Sequence, residues 1–376
     1  MQFSRTRVRS QAARQASGKG LISATSHARR PGPAGAAAVA VSLLMVLIPA
    51  RAVPAAASPP PSRSDGSVQV YSSGDASHAI QNPCYMNNST LFFTEFRRHY
   101  NNGAASLDAI AAAGGTPRKV VFHRGNDAVD LPGSCYNAAT GRVAFAYDLV
   151  GTDNIWTALP GGLNDDARQV TCLTNPALHA EEPSWSPDGK WLVYEVDNDR
   201  NWRQVSIYKI PAASDCAHPA PPVLLVSGTS PSSINQEPNW SPNGKWIVFQ
   251  RETRYADGYV NLWMITPGGT DLTRITRDHN SDTDASWSPS STSIVYSTDY
   301  HAPSGRAGTN LFIVSAAADG AKVRLTSQCY YDGAPSWSPD GKWVSFETAL
   351  VPDDNNPATT AVWRIPASTR PAAPRC

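Results

Sequence analysis

The stretch from Gly333 to Glu347, GAPSWSPDGKWVSFE, recurs three times upstream with small changes. It reads EEPSWSPDGKWLVYE at 181–195, QEPNWSPNGKWIVFQ at 236–250 and TDASWSPSSTSIVYS at 283–297. The central tryptophans, Trp185, Trp240, Trp287 and Trp337, are 55, 47 and 50 residues apart. Two degenerate copies precede them: NPCYMNNSTLFFTE, with Tyr85 in the tryptophan position, and GSCYNAATGRVAFA, with Tyr136 there. They carry the spacing back by 51 and 49 residues, making six copies. Self-similarity at a period near fifty residues marks a repeat architecture.

Each copy holds more than its motif. A second apolar strand (WLVYEV, WIVFQ, SIVYS, WVSFE) is followed by a loop and a third (NIWTA, SIYKI, NLWMI, NLFIV, AVWRI). A turn and a fourth strand follow, as in DLTRIT and KVRLT. Four short strands per unit of this length predict the blades of an all-β, six-bladed propeller. In SPDGK and SPNGK, proline presets the first turn dihedral and Asp-Gly or Asn-Gly supplies positive φ, giving a tight hairpin. Ser290-Ser291-Thr292 replaces that turn in the fifth copy, so a looser hairpin is expected there. All eleven tryptophans lie after residue 150, and ten occupy repeat positions. Large aromatics at fixed repeat positions are expected to fill the wedges between blades. Trp202 alone falls outside the repeat.

The P-x-W-S-P-D-G-K motif followed by an apolar strand resembles the TolB-like propeller repeat. The resemblance covers roughly residues 67–370 and is strongest in the last four copies. It implies six blades, as in the propeller of TolB itself. Too few residues lie between the amino-terminal signal and the first blade for a separate α/β domain like that protein's, so a role in the Tol complex is not expected. The sixth copy ends without a fourth strand, and SVQVYSS at 67–73 is expected to fill that place and close the ring. Closure removes exposed sheet edges.

The formal net charge is +1, from 32 basic and 31 acidic side chains. Residues 1–52 hold eight of the basic groups (Arg5, Arg7, Arg9, Arg14, Lys19, Arg29, Arg30 and Arg51) and no acid, leaving −7 beyond them. The apolar run from Ala34 to Ile48 follows this basic stretch, and Ala50-Arg51-Ala52 comes next. That order predicts a secretory signal over 1–52, cleaved after Ala52 or, as second choice, Ala57. A retained anchor is the alternative, and Arg29-Arg30 raises twin-arginine export without deciding it. Residues 53–66 read as a Pro/Ala/Ser-rich linker, and 371–376 as a carboxy-terminal tail. A secreted or periplasmic location follows, with no membrane span after cleavage. All six cysteines (84, 135, 172, 216, 329 and 376) lie beyond the signal, so disulfides are expected; fifteen pairings are open.

Loops from strand four to the next strand one, and from strand two to strand three, share one face; the short hairpins open on the other. Three residues before each central aromatic lie Asn82, Gly133, Glu182, Glu237, Asp284 and Ala334. Glu181, Asp282 and Asp332 are close by, with His78, His179 and His279 slightly upstream. This is an acidic funnel, suited to a basic peptide, a polyhydroxyl ligand or a divalent cation such as calcium. The competing reading is that these carboxylates cap backbone N–H groups at blade junctions. Ligand candidates on the funnel face are Asn82, Glu182, Glu237, Asp284, Asp332, Arg98, Trp202, Arg251, Tyr255, His301 and Tyr331. His179 and His279 are the candidate metal ligands.

The acidic mature charge argues against a nucleic-acid partner. No catalytic residue and no cofactor are assigned. The favoured reading is an exported, monomeric, non-catalytic propeller that binds a protein segment or glycan. The alternative is a polysaccharide-degrading enzyme. Oligogalacturonate lyases on related propellers use histidine-bound metal, and uronate elimination needs a cation and a base. A peptidase is disfavoured because no G-x-S-x-G occurs.

Overall fold

The computed structural model describes residues 63–75, 78–97, 105–122, 129–130, 135–148, 151–161, 166–198, 204–229, 233–252, 259–299, 308–317, 320–328, 330–349 and 360–372. The signal, Cys329, Cys376 and, in every blade but the second, most of the loop from strand two to strand three lie outside them. Strand β1 (Val68–Tyr71) comes first. Blade one is β2 (Ala79–Asn87), β3 (Thr90–Phe96), β4 (Ala105–Ala111) and β5 (Arg118–Phe122). In blade two the innermost strand is two fragments, β6 (Val129–Asp130) and β7 (Tyr136–Asn137), both pairing β8 (Arg142–Tyr147); β9 (Asn154–Ala158) and β10 (Arg168–Gln169) follow.

Blade three is β11 (Leu178–Trp185), β12 (Trp191–Asn198), β13 (Ser206–Pro211) and β14 (Val223–Val226). Blade four is β15 (Ile234–Trp240), β16 (Ile247–Glu252), β17 (Val260–Ile265) and β18 (Thr273–Arg274). Blade five is β19 (Asp282–Trp287), β20 (Ser293–Thr298), β21 (Asn310–Ser315) and β22 (Lys322–Arg324). Blade six is β23 (Tyr331–Trp337), β24 (Trp343–Ala349) and β25 (Ala361–Pro366), completed by β1. Strand β1 runs antiparallel to β25, with Val68 opposite Arg364 and Gln69 opposite Trp363. The expected ring closure is therefore observed.

Among the described residues the apolar core falls into six clusters; five straddle two successive blades, and the one between blades one and two also takes in Tyr331 and Ala349 of blade six. Every cluster holds one central aromatic: Tyr136, Trp287, Trp337, Tyr85, Trp185 and Trp240. A sheet twisted like a blade can meet its neighbour only across a tapering gap, and a flat ring fills that gap at low entropic cost. Backbone bonds also cross the gaps. The Ser184 hydroxyl accepts from the Trp240 N–H at 2.9 Å, and Ser336 accepts from the Tyr85 N–H at 3.3 Å.

The S-P-D-G turn is one recurring network. The Ser186 hydroxyl accepts from the Trp191 N–H at 2.9 Å and meets Asp188 at 2.7 Å, while Gly189 takes φ 70°. Ser338, Asp340 and Gly341 (φ 72°) repeat it. The fifth copy does not loosen as the sequence suggested. Ser288 still accepts from the Ser293 N–H at 3.1 Å, the Ser290 hydroxyl stands where the carboxylate would, and Ser291 takes φ 58°. The serine that opens the turn holds the hairpin even without glycine.

Candidate functional site

At the funnel face each innermost strand bulges just before its aromatic. Asn82, Glu182, Glu237, Asp284 and Ala334 all lie in the left-handed region, with φ of 52°, 51°, 53°, 56° and 46°. Gly133, at the sixth equivalent position, lies outside the described residues. The register shifts there, between Glu181 and Ser184 and between Gln236 and Asn239 for example. A left-handed residue at a bulge turns its own N–H out of the ladder. That N–H is taken by an acceptor from the preceding blade. Glu237 donates to Glu195 Oε2 at 2.6 Å, Asp284 to Glu237 Oε2 at 2.9 Å, Ala334 to Asp284 Oδ2 at 3.1 Å and Asn82 to Glu347 Oε2 at 2.6 Å. Glu237 and Asp284 therefore join blades and remain half-buried at the funnel face.

The other candidates divide sharply. Asp332 is fully buried and is gripped by Arg63, which donates through Nη1 and Nη2 at 2.7 Å each. Tyr331 beside it is buried. Arg251 turns inward: its Nε donates to Asn235 Oδ1 at 2.6 Å, and its guanidinium lies 5.1 Å from the Trp263 ring centre. Burial lowers its pKa from the usual value. In blade five the matching place is held by Lys322, 3.6 Å from Asp282 and over the Tyr296 ring at 5.7 Å. Arg63 occupies it in blade six, 4.9 Å from the Phe346 ring centre. Three blades thus set a cation between a polar residue of strand one and the blade's aromatics, each recruiting it from a different part of the chain. Arg98, Trp202, Tyr255 and His301 lie outside the described residues.

Asp282 is the most perturbed of these groups with a defined direction and size. Burial, helped by the charge of Asp278 and opposed by Lys322, raises it from 3.8 to about 7. Between those values the folded chain keeps the proton that the unfolded chain has released, so stability falls as pH rises and levels off above about pH 7. Asp282→Asn removes that slope. The variant is expected to be more stable than the parent at pH 8, by about 1 kcal/mol or more, and to match it near pH 4. Urea unfolding midpoints across that range check it; parallel pH profiles for the two proteins would contradict it.

The two candidate histidines sit in different settings. His279 stacks on Tyr259 with ring centres 4.9 Å apart. His179 Nδ1 contacts Asp153 Oδ2 at 2.7 Å, and Glu181 lies beside both. Burial first, then the charges of Asp153, Glu195, Asp197 and Glu182, raise Glu181 well above the usual carboxylate range. Asp153 carries no repeat signal, because it comes from the blade before.

On the opposite, hairpin face lies a cavity of about 270 Å³, lined by Tyr85, Tyr136, Trp287, Trp337 and the Cys84–Cys135 disulfide. Sequence reasoning assigned these rings to the wedges only. Four of the six central aromatics, which share one repeat position, line the cavity together. Cys172–Cys216 forms the second disulfide among the described residues and ties the end of blade two to blade three.

No family model matches the chain. An uncharacterized protein of Agrobacterium fabrum is 25% identical over 186 residues, covering 49% of this chain and 54% of that protein, so the match spans about half the length of the curated relative. The structure of a putative TolB from Agrobacterium tumefaciens superimposes with a TM-score of 0.51 at 19% identity, covering 78% of this chain and 91% of that one. TolB from Acinetobacter baumannii gives 0.49 at 13% identity, covering 79% and 82%. The fold is that of a six-bladed propeller with a ring closed by its amino-terminal strand. The superposition on the Agrobacterium tumefaciens structure shows a TolB-like propeller fold. Among the described residues no helix is long and apolar enough to cross a membrane.

Proposed function

We propose that the chain is an exported binding module that takes a positively charged segment of a partner protein at its acidic funnel face, without chemistry of its own. One observation carries this reading. Half-buried carboxylates from three blades, Asp153, Glu237 and Asp284, lie on the funnel face. Low-dielectric walls focus the field of such a group and favour a cationic visitor. The net charge of −7 beyond the signal adds to it. Export is supported by the signal-like first 52 residues and by two disulfides, which persist in oxidising compartments.

Glu237→Gln with Asp284→Asn tests the reading while keeping both acceptor oxygens that hold the ring. Immobilised protein is titrated with an oligolysine peptide, an oligoglutamate peptide and an array of neutral glycans. Binding of the cationic peptide is expected, weakening about tenfold or more in the double variant and falling with salt. Neutral-glycan binding that ignores both substitutions would replace the reading with a carbohydrate one. Equal responses to the two peptides would end it.

A further inference from the structure

We infer that Asp153, His179 and Glu181 form a binding site for a divalent first-row transition ion, zinc above all, at the funnel-face junction of blades two and three. One ligand atom from each residue lies within 4.8 Å of the other two. Donors sharing one tetrahedral zinc at about 2.1 Å stand about 3.4 Å apart, so the three side chains must draw together by at most about 1.4 Å.

The cluster is positioned before any ion arrives. The Ala180 N–H donates to the Asp153 carbonyl at 3.0 Å, and the Thr152 hydroxyl donates to the Leu178 carbonyl. These bonds lock the segment that begins β9 against the start of β11. His179 is held by its 2.7 Å contact to Asp153. A second observation points into the same place. Glu181 Oε2 is shielded from solvent and has no hydrogen-bond partner among the described residues. A carboxylate oxygen enclosed beside an imidazole and a second carboxylate lacks a positive neighbour, and a cation supplies one.

The donor chemistry selects the ion. One imidazole nitrogen and two carboxylate oxygens suit zinc and its first-row neighbours. Calcium takes six to eight oxygens, and a set with a nitrogen and only two carboxylates does not provide them. Three protein ligands also leave a tetrahedral ion one open position, facing the funnel. The ion would cross-link blades two and three and give the acidic face a local cation. This inference does not depend on the peptide-binding reading, since the ion can bind with no partner present.

Zinc alone is the probe, titrated into metal-stripped protein by calorimetry and by competition with a chromophoric chelator. One equivalent is expected to bind at micromolar concentration or below and to raise the unfolding temperature. Glu181→Gln should weaken binding about tenfold or more, and His179→Gln about a hundredfold. His279→Gln should bind as the parent does, and calcium should not compete at equal concentration. Cobalt(II) absorption on the unsubstituted protein reads the site without any variant: a visible band of a low-coordinate ion is expected at one equivalent. Absence of stoichiometric zinc binding by the parent would overturn the inference. So would parent-like affinity in folded His179→Gln and Glu181→Gln, or the lack of a low-coordinate cobalt spectrum.

Discussion

Arg63→Ala is expected to lower the unfolding free energy by about 3–5 kcal/mol, the largest effect of any single substitution considered. The Arg63 side chain is fully buried and serves two carboxylates. It forks onto Asp332 at 2.7 Å through both Nη atoms, reaches Asp65 Oδ2 at 2.8 Å and donates to the Thr348 hydroxyl at 3.0 Å. Its face lies 4.9 Å from the Phe346 ring centre and 5.4 Å from that of Trp363. Burial alone would push Asp65 upward; the hydrogen bond and charge of Arg63 outweigh it and hold Asp65 below its usual range. Alanine leaves Asp332 buried without its cation, and that stranded charge is the main cost. Arg63→Ala combined with Asp332→Asn should therefore recover part of the loss, although it removes another polar contact. Urea unfolding of the three proteins measures this. A double variant no more stable than Arg63→Ala would show that packing against the two rings, and not charge, sets the cost.

Removing the Cys84–Cys135 bridge as the Cys84→Ala, Cys135→Ala pair is expected to cost about 4 kcal/mol. The bridge closes a loop with a sequence separation of 51, and chain-entropy reasoning gives that size. Its location sharpens the expectation. Both cysteines stand directly before a central aromatic, where Ser184 and Ser336 stand in stronger copies. Those serines accept the N–H of the next blade's aromatic. In the first two blades the covalent bond takes over that junction, where tyrosine replaces tryptophan and the second innermost strand is split. Thermal unfolding of the double variant, beside one lacking Cys172 and Cys216, checks it. A drop confined to the second variant would remove the special role given to the first bridge.

The propeller was legible because its signal is linear: six copies of one motif, with an alternating strand at the start to complete the last. The junction chemistry was less so. Asn82, Gly133 and Asp284 at one repeat position are residue types that tolerate the left-handed region, a signal the ligand assignment of Asn82 and Asp284 did not use. Cys84 and Cys135 share one offset in adjacent copies, yet on the sequence alone all fifteen pairings stayed open, and the structure supplies this one. Other features had no linear trace. Arg63, Arg251 and Lys322 fill one kind of place from the segment before β1, from β16 and from β22, so no alignment of copies brings them together. Asp153 reaches His179 and Glu181 from the previous blade. Arg98, Trp202, Tyr255 and His301 fall in stretches of sequence that follow no repeat and lie outside the described residues.

The pairing of β1 with β25 also governs timing. A ribosome delivers Val68–Tyr71 before any blade and its partner Ala361–Pro366 only after the five blades between them. Throughout synthesis the ring lacks its clasp, and blade six has no outer strand. The slowest, most non-local contact is therefore the final one, as loop-closure entropy demands. A chain of this design cannot complete blade six until β25 is available to pair with β1.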